Sequence, residues 1–347
     1  MGKTYWQIAA GSAGRKYADL FLKFGMAFVG GKKQIETMDE VSAGDVILLK
    51  LGVSKVIAAG EIVERDGKCK GNAEKEEDKL WLRDFDGWDL PAYCYVDWRV
   101  PNKPVETSGL TRATIQKAPQ EKHKEIADSL LDLPICKPKP EPVPTKPVSD
   151  EDILEFLISE GLRPSAADEL TNTLRRIRLL ADYYFGLPTR KQTSDVRWED
   201  IREHETIAFL IIPLLLALGW AEQQIKIELP CERGRVDIAC FSRAYRKQND
   251  ECVLIIEAKD FASGLDYAPA QALRYAKDFS SCRVVVVSNG YCYKTYVRSG
   301  GAFDLTPSAY LNLLKEKPRD RYPLDPKNVD GALGVLKWLL PMTLTGT

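Results

Sequence analysis

Residues 134–147 read PICKPKPEPVPTKP, six prolines in fourteen positions. Proline has no N–H to donate and fixes φ, so such a run is neither helix nor central strand. The stretch 134–149 is therefore expected to be an extended Pro-rich spacer between two separately folded parts. A chain of 347 residues has room for them, at about 100–200 residues per domain.

Before the spacer, residues 1–133 read mostly as short strands: 5–9, 45–51, 56–63, 80–82 and 93–100 alternate or run apolar between Gly and Asp turns. One short helix is expected at 16–23, and the Glu/Lys-rich stretch 66–79 reads as a mobile loop. Many short strands with few helices suggest a small β-barrel-like domain. After the spacer, 150–195 reads as a helical connector, with two or three helices over 150–185 and Ser149 as N-cap. A helix follows at 203–218. Strands are expected at 225–229, 236–241, 252–258, 284–287 and 294–297, with helices at 268–278 and 330–340. That order predicts an α/β domain over 196–347, a central sheet flanked by helices.

Composition narrows the function. Lys+Arg is 49 against Asp+Glu 50, a formal charge of −1. A polybasic nucleic-acid coat is excluded, whereas a nucleic-acid enzyme with a local groove is not. No apolar run approaches the roughly 18 residues of a membrane helix; the longest, 207–218, contains Pro213. The start Met1-Gly2-Lys3-Thr4 lacks a signal-peptide pattern. None of the eight cysteines forms a Cys-x-x-Cys pair, so neither a zinc knuckle nor a disulfide scaffold is indicated and the cytoplasm is the expected compartment. With His123 and His204 the only histidines, His-rich metal sites are disfavoured.

The chemistry concentrates in Arg235-Val236-Asp237 and Ile255-Ile256-Glu257-Ala258-Lys259. On a strand, residues 257 and 259 share a face, and a neighbouring strand can bring Asp237 beside them. Two carboxylates with phosphate oxygens suit Mg²⁺. A lysine there orients water or offsets developing charge. An isolated Glu-x-Lys at a strand end is usually a solvated end; the surrounding segments narrow this one.

Those segments resemble a PD-(D/E)XK nuclease, specifically the N-terminal nuclease domain of type I restriction enzyme R subunits. They are Glu203-His204-Glu205-Thr206 through Pro213-Leu214-Leu215 to Leu218-Gly219-Trp220, then Gly234-Arg235-Val236-Asp237, Ile256-Glu257-Ala258-Lys259, Gln271-Ala272-x-x-Tyr275-Ala276 and Ser288-Asn289-Gly290. Val236 stands where proline is usual. The resemblance implies a restriction-endonuclease-like fold, with Asp237 and Glu257 binding Mg²⁺ (or Mn²⁺ in its place). Lys259 would be catalytic and Glu203 an accessory acid at the metal, with Glu205 as the competing assignment. Gln271 and Tyr275 would lie beside the site as further catalytic residues, contacting DNA or Lys259, with helix packing as the competing role. No GxxxxGK[ST] is present, so neither a motor nor a nucleotide cofactor site is expected in this chain.

The amino-terminal part holds four of the seven tryptophans, Trp6, Trp81, Trp88 and Trp98, with Tyr93, Tyr95, Phe28 and Phe85 among them. Aromatics in a small β domain either fill its core or sandwich a flipped base. Tyr5-Trp6-Gln7-Ile8-Ala9-Ala10-Gly11, Phe28-Val29-Gly30-Gly31, Gly44-Asp45-Val46-Ile47-Leu48 and Val96-Asp97-Trp98 resemble an EVE domain of the PUA-like superfamily. This implies a reader of modified bases, modified cytosine first among them, with Trp6 and Trp88 as candidate cage residues. Together the two resemblances imply a modification-dependent, type IV-like restriction endonuclease acting on duplex DNA. With one such site per chain and two strands related by local two-fold symmetry, a homodimer is expected. Arg175, Arg176, Arg178, Arg190 and Lys191 are candidate phosphate contacts or a solvated helix face. A binding protein with an inactive nuclease fold and an RNA-directed nuclease are the alternatives.

Overall fold

The computed structural model describes all residues except 1, 13, 119, 143–146, 188–199, 247–250, 316–329 and 347. The chain is mixed α/β and divides into two units, 1–144 and 145–347, each with its own mixed sheet.

In the first unit, Tyr5–Ala9 lies between Ile115–Lys117 and Val46–Leu51, parallel to the latter. The sheet continues through Lys55–Ile62 and Ala92–Arg99 to Met26–Val29, curling into a half-barrel. Strand alternation separates two sets of side chains. Val46, Leu48, Val56 and Ala59 pack against Ala127 and Leu130 of the helix Glu121–Leu131. A second cluster is aromatic, with Phe28 at 4.2 Å from Phe21 and stacked 5.3 Å from Phe85.

Three expectations change here. Residues 66–79 are ordered: they include the strand Lys70–Asn72 and enter the 3-10 helix Glu77–Arg83, which also replaces the expected strand 80–82. The charged residues there pair inward. Tyr93 Oη donates to Glu76 at 2.7 Å, and buried Lys79 pairs with Glu141. The helices Lys32–Met38 and Glu121–Leu131 were not foreseen. The described first half of the Pro-rich run is docked rather than a free spacer. Cys136 N–H donates to Trp98 O at 2.7 Å and Lys139 N–H to Lys23 O at 2.6 Å. Proline is tolerated on such an edge because non-proline residues between supply the donors.

In the second unit, Ile225–Cys231, Gly234–Phe241 and Cys252–Ala258 form an antiparallel meander. A crossover through the helix Ala268–Tyr275 then adds Val284–Ser288 parallel to Cys252–Ala258. Cys292–Ser299 and Ala309–Asn312 complete the sheet. Both strands of the parallel pair are buried along their whole length, as expected for strands covered on both faces. The helices Asp150–Ser159 and Ala167–Gly186 fall within this unit. Arg178 donates to Leu313 O at 3.0 Å, and Lys337 pairs with Glu160 at 2.9 Å. The expected helix at 203–218 runs through a π turn at Ile207–Ile211. Pro213 supplies no N–H and its ring crowds the preceding turn, and widening that turn accommodates it. Among the described residues no helix is long and apolar enough to cross a membrane.

Candidate metal and carboxylate–lysine centre

Four elements of the second unit converge on one site. The buried strand Cys252–Ala258 carries Glu257 next to its end, and Lys259 follows on the same side. Glu257 is fully buried, and its Oε1 accepts from Lys259 Nζ at 2.6 Å. Lys259 is held at the backbone, where its N–H donates to Ser288 O at 2.8 Å. The segment after it is fastened by Asn289 Nδ2, which donates to Ser263 O at 2.8 Å. Gly290 has φ 94°, and a Cβ there would lie 2.4 Å from Leu210 Cδ1, so the turn admits the 203–217 helix only as glycine. This accounts locally for Ser288-Asn289-Gly290.

Asp237, on the adjacent antiparallel strand, accepts from Ala258 N–H at 2.7 Å. The residue between Glu257 and Lys259 thus anchors the second carboxylate. Glu203, first residue of its helix, places Oε2 3.7 Å from Lys259 Nζ. Glu205 instead turns back to accept from Arg202 N–H at 3.1 Å, a cap on the helix start. Of the two acids, Glu203 is the one at the site.

The sequence reading missed Glu228. Carboxylate oxygens of Glu203, Glu228 and Asp237 lie within 4.8 Å of one another. Position 228 stands opposite 237, between the pairs Ile227–Ile238 and Leu229–Val236. Its backbone is left-handed, φ 55°, a conformation that costs a non-glycine residue free energy and recurs where a site requires it. The oxygen cluster thus differs from the expected metal set of Asp237, Glu257 and Glu203. Glu257 adjoins it, with one oxygen drawn to the Lys259 ammonium. Its second oxygen, Oε2, is buried without a hydrogen-bond partner.

The electrostatics are those of crowded acids. Burial, then Glu257, pushes Asp237 up to about 6. Burial, then Asp237, raises Glu203. Burial raises Glu257 as well, against the pull of Lys259 and Arg274. For Lys259 burial acts downward, but the hydrogen bond to Glu257 and the surrounding acids outweigh it, so its pKa is raised. The lysine therefore remains an ammonium, suited to holding an oxygen or offsetting negative charge rather than accepting a proton. A divalent cation fits this donor set: hard oxygens, like charges at close range and an orphaned buried carboxylate oxygen.

Gln271 and Tyr275 are brought together, with Gln271 Nε2 donating to Tyr275 Oη at 3.2 Å. Tyr275 is buried against Gly234, where a Cβ would meet the ring at 3.0 Å. Its evident role is to seat the helix on the Asp237 strand. The neighbouring Arg274 is exposed and its charge acts on Glu257; it too was missed.

The other candidates separate. Trp6 is a core residue, 1% exposed, its indole N–H donating to Asp45 at 3.0 Å. Its ring is enclosed by the sheet it stabilises, which corrects its assignment as a base cage. Trp88 is half-buried on the turn Phe85–Trp88, with the Arg15 guanidinium 5.1 Å from its ring centre. Arg178 is bound to both Asp150 oxygens, at 2.7 and 2.8 Å, as well as to Leu313 O. It ties two helices to the sheet and is no phosphate contact. Arg175 and Arg176 are exposed. Arg190 and Lys191 lie outside the described residues.

Compared with known protein families, curated proteins and solved structures, the chain matches none.

Proposed function

We propose that the second unit is a Mg²⁺-dependent phosphodiesterase site and that the chain is a DNA endonuclease directed to base-modified duplex DNA. The observation that carries this reading is the Glu257–Lys259 couple beside Asp237, with Lys259 kept charged. Glu203, Glu228 and Asp237 would hold the cation, with Glu257 adjoining. A bound Mg²⁺ polarises a phosphoryl oxygen and lowers the pKa of its water. Lys259 orients the attacking water and offsets charge developing on the phosphate. Gln271 and Tyr275 fix the distance between the helix and the Asp237 strand.

The first unit would read the base. Support comes from its aromatic density and from Trp88, which retains exposed surface. Flipping a base out of the stack costs a few kcal/mol, which a fitted pocket must offset. Cutting both strands calls for two sites, and the local two-fold symmetry of DNA suits a C₂ homodimer.

Digestion of matched modified duplex, plain duplex and RNA in Mg²⁺ tests the reading. Cleavage of modified duplex in preference to the others is expected. Preferential RNA cleavage makes the protein a ribonuclease, and binding without cleavage of any substrate makes the fold an inactive one.

A further inference from the structure

The strand Gly234–Phe241 and the helix Ala268–Tyr275 border the carboxylate centre, and each presents one arginine to solvent there. On the strand, residues 235 and 237 share a face. Arg235 Nη1 donates to Glu228 Oε2 at 3.0 Å, so its guanidinium stands at the rim of the Glu203, Glu228 and Asp237 oxygen cluster. The Arg235 side chain is 62% exposed, and Glu228 is its one partner among the described residues. Its remaining N–H groups are open to solvent, and a planar guanidinium fork suits the paired oxygens of a phosphate.

The helix contains no acid. The acids that flank it are taken by other cations: Asp266 pairs with Lys294 at 2.9 Å, and Asp278 pairs with Arg233. Arg274 is exposed, and among the described residues its side chain makes no ion pair or hydrogen bond. Its guanidinium lies 5.2 Å from the centre of the Tyr275 ring. That ring packs on Gly234, where a Cβ would meet it at 3.0 Å. One aromatic ring thus joins Arg274 to the first residue of the Asp237 strand, and the Arg274 charge acts on Glu257. A centre built from Glu203, Glu228, Asp237 and Glu257 repels a polyanion, and Lys259 is already engaged by Glu257 and Glu203. Exposed cations at the rim offset that repulsion where a phosphate backbone approaches.

We propose that Arg235 and Arg274 bind backbone phosphates of duplex DNA beside the carboxylate centre and so position the strand to be cut. The proposal rests on the nuclease reading of that centre and names the residues by which it holds its substrate.

Binding of an unmodified duplex in Mg²⁺ at a series of KCl concentrations tests this, with the full chain carrying Lys259→Ala so that the duplex stays intact. Arg235→Met and Arg274→Met remove exposed charges and should leave the protein folded. Each should weaken binding about tenfold and reduce the slope of log affinity against log salt by about 1. Arg274→Lys should restore the slope, because counterion release follows the charge. Calorimetric titration with Mg²⁺ alone should show Arg235→Met binding the cation at least as tightly as the parent protein. Parental affinity and slope in both methionine variants overturn the proposal, even where the wild type cuts DNA. Weaker Mg²⁺ binding by Arg235→Met with an unchanged slope also overturns it for Arg235, which then serves to position Glu228. A wild type that cuts no substrate, with both variants losing affinity and slope as expected, overturns the nuclease reading and leaves the phosphate contacts standing.

Discussion

Lys259 Nζ stands 2.6 Å from Glu257 Oε1 with one residue between them in sequence, and the N–H of that residue, Ala258, is bonded to Asp237. Strand periodicity puts 257 and 259 on one side. The backbone between them fixes the third charge. One tripeptide thus positions an ammonium and two carboxylates before any ligand arrives.

Glu228 gives the first test. Its left-handed backbone favours glycine, whereas alanine carries the same Cβ strain as glutamate. In chelator, Glu228→Gly should be more stable than Glu228→Ala by about 1 kcal/mol in denaturant unfolding. Both should bind Mg²⁺ more weakly than the wild type by calorimetry. Equal stabilities would show that the strain is not real, and unchanged Mg²⁺ affinity would remove Glu228 from the ligand set.

The two tryptophans should respond in opposite ways. Trp6→Ala empties a buried site and should cost about 3–5 kcal/mol of stability. Trp88→Ala should leave the first unit folded by circular dichroism and weaken binding to modified duplex relative to plain duplex. If Trp88→Ala binds both duplexes as the wild type does, Trp88 takes no part in base reading.

Acid stability should depend on Asp150. The bidentate Arg178 hydrogen bond holds its carboxyl below the usual carboxylate value of 3.8 in the folded state. A depressed folded pKa contributes stability that is present above 3.8 and is lost as pH falls through the folded value. The pair is partly exposed, so solvent screening keeps its contribution small. Asp150→Asn should lower stability at pH 7 and flatten its decline below pH 4, about the unfolded carboxylate pKa. A variant with the wild-type acid limb would show that the pair does not couple to folding.

Much of the second unit was legible because its signals are local. Apolar runs around Asp237 and up to Glu257 give strands, and period two places Lys259. The spacing from Glu203 to Leu218 gives the helix, though not its π turn. Glu228 was invisible because its position opposite Asp237 comes from strand pairing and its left-handed backbone has no glycine to announce it. Arg274 was passed over because its neighbours carried the motif. In the first unit, the charges of 66–79 suggested solvent, whereas Glu76 and Lys79 find partners on distant segments. The docking of Cys136 and Lys139 depends likewise on carbonyls far away in sequence. Tryptophan in a β domain fits core and cage alike, and only its burial assigns Trp6 to the core.

Single-turnover cleavage of modified duplex in Mg²⁺ by wild-type and Lys259→Ala protein tests the central claim most directly, with folding of both checked by circular dichroism. The wild type should cut. Lys259→Ala should stay folded, retain DNA binding and cut slower by about 10²-fold or more, the loss of a preorganised charge at the transition state. A folded Lys259→Ala that cuts at the wild-type rate would contradict the assignment of this centre as the catalytic one.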